Sequence, residues 1–261
     1  MIRNLSLSFR HALLVTVALA GVISMAWLPA MPQNPDYHQF ADQRSCFGIN
    51  HFFNVISNLP FIAVGIAGLI VLFKPSGLAI IGEMIGAYRL FFTAIVGVGV
   101  GSGYYHWAPD NGSLIWDRLP MTVAFMAFFS VILAEFVSIR LAESLFYPLV
   151  LIGAFSAGYW YWTELIGQGD LRLYGLVQFL PLILIPLILL FYSSSFTDVR
   201  CYWFFFEFYV LAKIFEYYDA EVFKVLEGLS GHTLKHLVAS LGCAVFLMQI
   251  KKRSVYSADE N

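Results

Sequence analysis

Apolar residues dominate this chain in long blocks, and short polar turns punctuate them. A helix that spans a bilayer needs about 20 mostly apolar residues. Eight segments meet that length, at approximately 11–31, 51–73, 86–108, 118–138, 143–163, 174–194, 201–219 and 233–250. Between them lie turn-forming runs: Pro32-Gln33-Asn34-Pro35, Pro75-Ser76-Gly77, Pro109-Asp110-Asn111-Gly112, Gly167-Gln168-Gly169-Asp170 and Ser193-Ser194-Ser195. No connection is long enough for a separate domain, and no internal repeat or low-complexity tract is evident. The expected fold class is an all-α polytopic membrane bundle.

Composition agrees with the pattern. The chain has 261 residues, 59% of them hydrophobic and only 12% charged, with mean hydropathy +0.74. Soluble chains carry roughly 25% charged residues. A net charge of −2 argues against nucleic acid as a partner and against a polybasic lipid-binding tail. Cys46, Cys201 and Cys243 form no C-x-x-C pair and no even framework, so no structural disulfide is expected.

Orientation follows from basic residues in short loops. With a cytoplasmic N-terminus, Arg3, Arg10, Lys74, Arg89, Arg140, Arg200 and Lys251-Lys252-Arg253 fall inside. Only Arg44, Arg118, Arg172, Lys224 and Lys235 remain outside. Both termini are then cytoplasmic. The first segment follows Arg3 and Arg10 and contains Ala18-Leu19-Ala20, the form of a signal-peptide cleavage site. Cleavage there leaves a minimal apolar run, so a retained signal-anchor helix is the favoured reading. The compact loops suggest a bacterial inner-membrane protein.

Against this apolar background a few polar residues stand out. Ser102 and His106 share a helix face, as do His232 and His236, because side chains four apart stack one turn apart. Asp117, eleven residues after His106, stands at the head of the next apolar segment. On the expected topology all five reach the non-cytoplasmic side at one depth. A histidine pair four apart is alone a weak metal signal. Ionisable groups in hydrocarbon cost roughly 2.5–3.5 kcal/mol each, however, and a divalent cation offsets that cost. Three neutral imidazoles with an open position form the ligand set of a catalytic zinc, and imidazole favours zinc over magnesium or calcium. In that reading Asp117 holds and deprotonates a water whose pKa the metal lowers, and Ser102 donates to the developing oxyanion.

The remaining polar residues read more simply. His11 and His38 are expected to be hydrogen-bonded interfacial residues, and His51 a helix cap. Lys213 and Glu216, three apart, are expected to pair on one helix, with headgroup binding as the sharper alternative. Glu135 and Glu207 are expected to face neighbouring helices or the cytoplasmic boundary. Tyr159-Trp160-Tyr161-Trp162 reads as an interfacial belt, and Gly97, Gly99 and Gly101 as close helix packing.

The run Ser102-Gly-Tyr-Tyr-His106, then Asp117-Arg-Leu-Pro-Met121, then His232-Thr-Leu-Lys-His236 resembles the alkaline ceramidases. These belong to a superfamily of seven-helix membrane hydrolases that also includes the adiponectin/progestin-type receptors. Asn54-Val-Ile-Ser57-Asn58 resembles the stretch at the first family helix. The resemblance covers roughly residues 42–250, leaving 1–41 as an added anchor helix with its outer loop and 251–261 as a basic cytoplasmic tail. It implies His106, His232 and His236 as zinc ligands, Asp117 and Ser102 as catalytic residues, and ceramide as the membrane lipid cleaved to a sphingoid base and a fatty acid. Two positions depart from the family. Arg118 stands where a glutamate is common, and His51 replaces a glutamate of the calcium site found in the animal enzymes. Only Asp36 and Asp42 remain as carboxylates in the preceding loop. Calcium needs six to eight oxygen ligands, so that site is not expected to be preserved. The rival readings are a receptor or scaffold with a structural zinc, and a transporter with a histidine relay.

Overall fold

The computed structural model describes residues 5–255, so Arg3 and the end of the basic tail lie outside the described residues. The chain is an all-α polytopic bundle. Its helices are α1 (Leu7–Trp27), α2 (Phe52–Ile56), α3 (Leu59–Phe73), α4 (Ile85–Trp107), α5 (Asn111–Ile132), α6 (Ile139–Leu165), α7 (Arg172–Phe191), α8 (Arg200–Tyr217), α9 (Asp219–Leu226) and α10 (Gly231–Lys252). The expected second span is interrupted at Ser57-Asn58, giving α2 and α3. Counting that pair as one, seven helical spans among the described residues are long and apolar enough to cross a membrane. The expected span at 201–219 is the exception by composition. It forms the 18-residue α8, which carries Arg200, Glu207, Lys213 and Glu216.

Helix ends follow local chemistry. Helix α5 starts well before the expected position because Asp110 and Ser113 form a capping box: the Ser113 amide donates to Asp110 Oδ1 at 2.6 Å and the Asp110 amide to Ser113 Oγ at 3.0 Å. Asp117 therefore lies almost two turns inside α5 and not at its head. Ser138 and Ser230 cap α6 and α10 more simply, each side chain accepting from one backbone amide, of Leu141 and Thr233 respectively. Helix α1 has no buried residue and lies against α7 from outside, as an added helix would.

Aromatic rings fill the core. Phe91, Phe128 and Phe246, from α4, α5 and α10, meet with centroids 5.1–5.5 Å apart, two of the three contacts edge to face. At the end of the bundle away from the histidines, Glu135 and Arg253 form an ion pair with neither side chain exposed. Tyr88 and Tyr202 donate to the same carboxylate, and Arg253 Nε donates to the Ala79 carbonyl at 2.9 Å. The expectation that Glu135 faces neighbouring helices holds. The three cysteines are free.

Two glycines hold helices at backbone distance. A Cβ on Gly101 would stand 1.8 Å from the Trp116 carbonyl oxygen, and one on Gly231 would stand 2.2 Å from that of Phe215. Gly99 likewise leaves no room beside Ile62. The glycine run in α4 is close helix packing, as its sequence suggests. Replacing Gly101 with Ala is expected to cost about 3 kcal/mol or more, since backbone and not a mobile side chain must yield. Gly158→Ala, with open space around it, should leave the protein unaffected. Thermal unfolding of the purified variants checks the contrast.

Candidate metal centre

His106 ends α4, while His232 and His236 occupy the first two turns of α10. All three imidazoles are buried, at 0%, 5% and 3% exposure. Each offers one ring nitrogen to a group whose members all lie within 4.8 Å of one another. Nε2 of His106 and Nε2 of His232 are 3.3 Å apart. Two nitrogens on a tetrahedral zinc, each at about 2.0–2.1 Å, are separated by about 3.4 Å. One edge of such a site is thus already set, and the third histidine offers a nitrogen within 4.8 Å of the other two.

The surroundings prepare these rings as ligands. Ser57 Oγ lies 2.8 Å from His236 Nδ1 and 3.0 Å from the Asn54 carbonyl. The tautomer with its proton on Nδ1 pairs with a Ser57 oxygen that accepts and leaves the lone pair on Nε2, the form a metal ligand requires. That nitrogen is buried and has no partner within the protein. Such a group is costly unless a donor or a cation meets it. Asn54 Oδ1 accepts from Thr233 Oγ1 at 2.9 Å and from Ser230 Oγ at 3.3 Å, tying the start of α10 to α2. Asp219 receives the His232 backbone amide at 2.7 Å and the Ala41 amide at 2.9 Å. Phe40 covers the His106 and His232 rings at 4.6 and 4.7 Å and closes the centre from the outer side. The donor set and its orphaned nitrogen fit a zinc ion.

Ser102 and Asp117 are buried beside this centre. The contact at Gly101 presses α4 onto Trp116, so the next residues in each helix, Ser102 and Asp117, interact directly. Both line a cavity of about 260 Å³ together with His236. Its inner walls are apolar, built from residues such as Phe61, Ile95, Met121 and Phe128. Its other end is polar: Lys213 pairs with Glu216 as expected, but Lys235 also reaches Glu216 at 3.0 Å. Tyr37 Oη adds a hydrogen bond to that carboxylate at 3.3 Å. Burial raises the Tyr37 hydroxyl above its ordinary range, with Glu216 adding to the shift and Arg118 opposing it. Tyr37 thus remains a neutral donor.

Several expectations need correction or extension. His51 occupies the N-cap position of α2, but its side chain makes no capping bond. Its Nδ1 lies 3.0 Å from the His106 carbonyl, where it steadies the end of α4. His38 is hydrogen-bonded, to Tyr105 Oη at 3.0 Å and Asn111 Oδ1 at 3.1 Å, and His11 stacks on Tyr192. Trp160 leaves the expected belt: it is fully buried, while Trp162 stays exposed. Near the entrance, burial works to raise the Asp42 carboxyl, but hydrogen bonds and charge from Arg44 outweigh it and hold the group below its usual range. Asp42 is thus already engaged by a cation, which weakens it further as a calcium ligand.

Lys235 is the functional neighbour that the sequence pattern treats only as a loop charge. Its Nζ stands 2.8 Å from His232 Nε2. The available signal is its spacing of three residues from His232, which puts both on one face of α10. With Lys235 donating, the His232 Nε2 lone pair is engaged by the ammonium, which a metal on His232 would have to displace.

Purified protein is expected to bind one zinc per chain, and His106→Ala, His232→Ala or His236→Ala to lose it. Ser57→Ala should weaken zinc affinity about 10–100-fold by releasing the His236 ring. Elemental analysis after dialysis against graded chelator measures both. Compared with known proteins, the chain matches no family model and no curated sequence.

Proposed function

We propose that this protein is a zinc-dependent integral membrane hydrolase that cleaves the amide bond of a membrane lipid, with ceramide the substrate implied by its resemblance to alkaline ceramidases. The observation that carries the reading is the bare His236 nitrogen, grouped with two more buried imidazoles. His236 opens onto a cavity that also holds the Asp117 carboxylate and the Ser102 hydroxyl, with aromatic walls beyond. His106, His232 and His236 would hold the metal. Bound there, zinc would supply Lewis acidity and a water acidic enough to ionise near neutral pH.

The chain's own residues account for the proton transfers. Asp117 accepts a proton from the attacking water as the bond from oxygen to the carbonyl carbon forms. Ser102 then turns its hydroxyl from Asp117 toward the carbonyl oxygen, where negative charge accumulates. As the carbon–nitrogen bond breaks, Asp117 returns its proton to the leaving nitrogen. Amide and water thus become amine and carboxylic acid, and the carboxylate is restored.

Burial of Asp117 keeps bulk water from competing for the proton. The apolar walls accept acyl chain, and they extend toward the bilayer. Tyr209 and Lys213 line both the cavity and an outer groove with Phe179, Leu182 and Ile214, between α7 and α8. A hydrogen bond from Gln178 Nε2 to Tyr209 Oη at 2.7 Å bridges these two helices at the cavity. A lipid that enters sideways can leave its chains in apolar surroundings throughout.

A purely structural zinc would need no base. Asp117→Asn is therefore expected to reduce lipid amide hydrolysis by about 10²–10⁴-fold while retaining zinc, and Ser102→Ala by about 10²–10³-fold. Product release from N-acyl lipids in detergent micelles, with zinc content measured on the same samples, checks this. Unchanged turnover in Asp117→Asn would remove the proposed mechanism.

A further inference from the structure

Arg118, the residue after Asp117, is a buried cation that forms no ion pair among the described residues. It is 5% exposed and lines the same cavity. Three aromatic rings enclose its guanidinium, with Cζ at 4.1 Å from the Trp160 centroid, 4.7 Å from Tyr174 and 5.4 Å from Tyr37. Nη2 donates to the neutral Gln33 Oε1 at 2.6 Å. Nη1 is buried and has no partner. Among the described residues no carboxylate forms an ion pair with Arg118.

The nearby charges do not provide one. Glu216 already serves both Lys213 and Lys235, and Asp117 is shared electrostatically between Lys235 and Arg118 while it hydrogen-bonds Ser102, with no ion pair to Arg118. Three cations thus face two carboxylates around one cavity. Aromatic faces stabilise a guanidinium in part, but they leave its unpaired N–H unsatisfied. A planar fork with a free arm suits an oxyanion, which it can meet through charge-assisted hydrogen bonds.

We propose that the polar end of the cavity binds an anionic headgroup, carboxylate or phosphate, on Arg118 with Lys213 in support, so that the lipids this protein selects are acidic N-acyl lipids. The inference rests on the lipid-amidase reading and narrows its substrate. It departs from the neutral headgroup of ceramide at the position where the chain departs from the ceramidase pattern. An acid on Arg118 anchors the headgroup beside Asp117 and leaves the acyl chain to the aromatic walls. It also supplies the missing counter-ion, which a neutral headgroup cannot do.

The test uses the zinc-loaded full chain in nanodiscs of neutral lipid. Competitors of one acyl length displace a fluorescent N-acyl probe: an N-acyl glycine, a ceramide 1-phosphate, an N-acyl ethanolamine, a ceramide and the free fatty acid. At least one acidic N-acyl lipid is expected to bind about tenfold or more tightly than both neutral ones, and whichever acid wins identifies the oxyanion. Arg118→Gln should reduce the preference to about threefold or less, and Arg118→Lys should retain part of it, which separates loss of charge from misfolding. Equal binding of acidic and neutral N-acyl lipids by wild-type protein overturns the proposal. So does a preference confined to the free fatty acid, which would make Arg118 a product site. Mass spectrometry of the same samples reports cleavage separately. Acid-selective binding without cleavage would sink the hydrolase reading alone, and cleavage without selectivity would sink only this one.

Discussion

Two contacts between backbones, at Gly101 and Gly231, set the positions of the polar residues around the histidine centre. At Gly101 the α4 chain touches the Trp116 carbonyl, and at Gly231 the start of α10 touches the Phe215 carbonyl at the end of α8. Any side chain at either glycine would push the helices apart. The first contact aligns Ser102 with Asp117. The second brings His232 against Asp219 and places Lys235 within reach of Glu216. The centre is therefore assembled by the closeness of helices, and its residues sit on regular backbone and not on a loop. A site on rigid elements holds its geometry with less conformational freedom to suppress.

Within that frame, the low dielectric of the bundle raises the stakes of each polar group. Many are matched: Asn54 Oδ1 by Ser230 and Thr233, Glu135 by Arg253 and two tyrosines, and Glu216 by two lysines and Tyr37. Among the buried atoms without a partner in the described residues, which also include Asn54 Nδ2, Asn58 Oδ1, His106 Nδ1 and Tyr192 Oη, two belong to residues that line one cavity: His236 Nε2 and Arg118 Nη1. The first is a lone pair seeking a cation, and the second is a cation seeking an anion. Their coexistence in one chamber fits a metal at one wall and an acidic ligand at the other.

The two ends of the bundle illustrate the difference between a closed network and an open one. Around Glu135 and Arg253 the charges and donors are satisfied among themselves, and that end acts as a clasp joining α4, α5, α8 and the end of α10. Around the histidines the network stays open, with nitrogens of His106, His236 and Arg118 left without a partner among the described residues. A fold can hold such an open end only if packing elsewhere sustains it. Here the phenylalanine core between the two ends provides that packing.

The helices were legible in the sequence because hydrocarbon demands long apolar runs with internally bonded backbones. Seven of the eight expected spans meet that demand by composition, and the eighth, α8, departs because it carries four charged residues, of which Lys213 and Glu216 line the cavity. The three histidines were legible as a group from their spacing and shared depth, and Ser102 and Asp117 from their distance to His106. The break at Ser57-Asn58, the early start of α5, the inward turn of Trp160 and the place of Lys235 were not. Each depends on which neighbour a residue meets, and a one-dimensional pattern records periodicity but not partners. The sequence by itself determined a membrane bundle and the chemical types gathered at one depth. Only the tertiary structure decided which polar atoms find partners and which stay bare, because satisfaction is a property of distance between helices far apart in the chain.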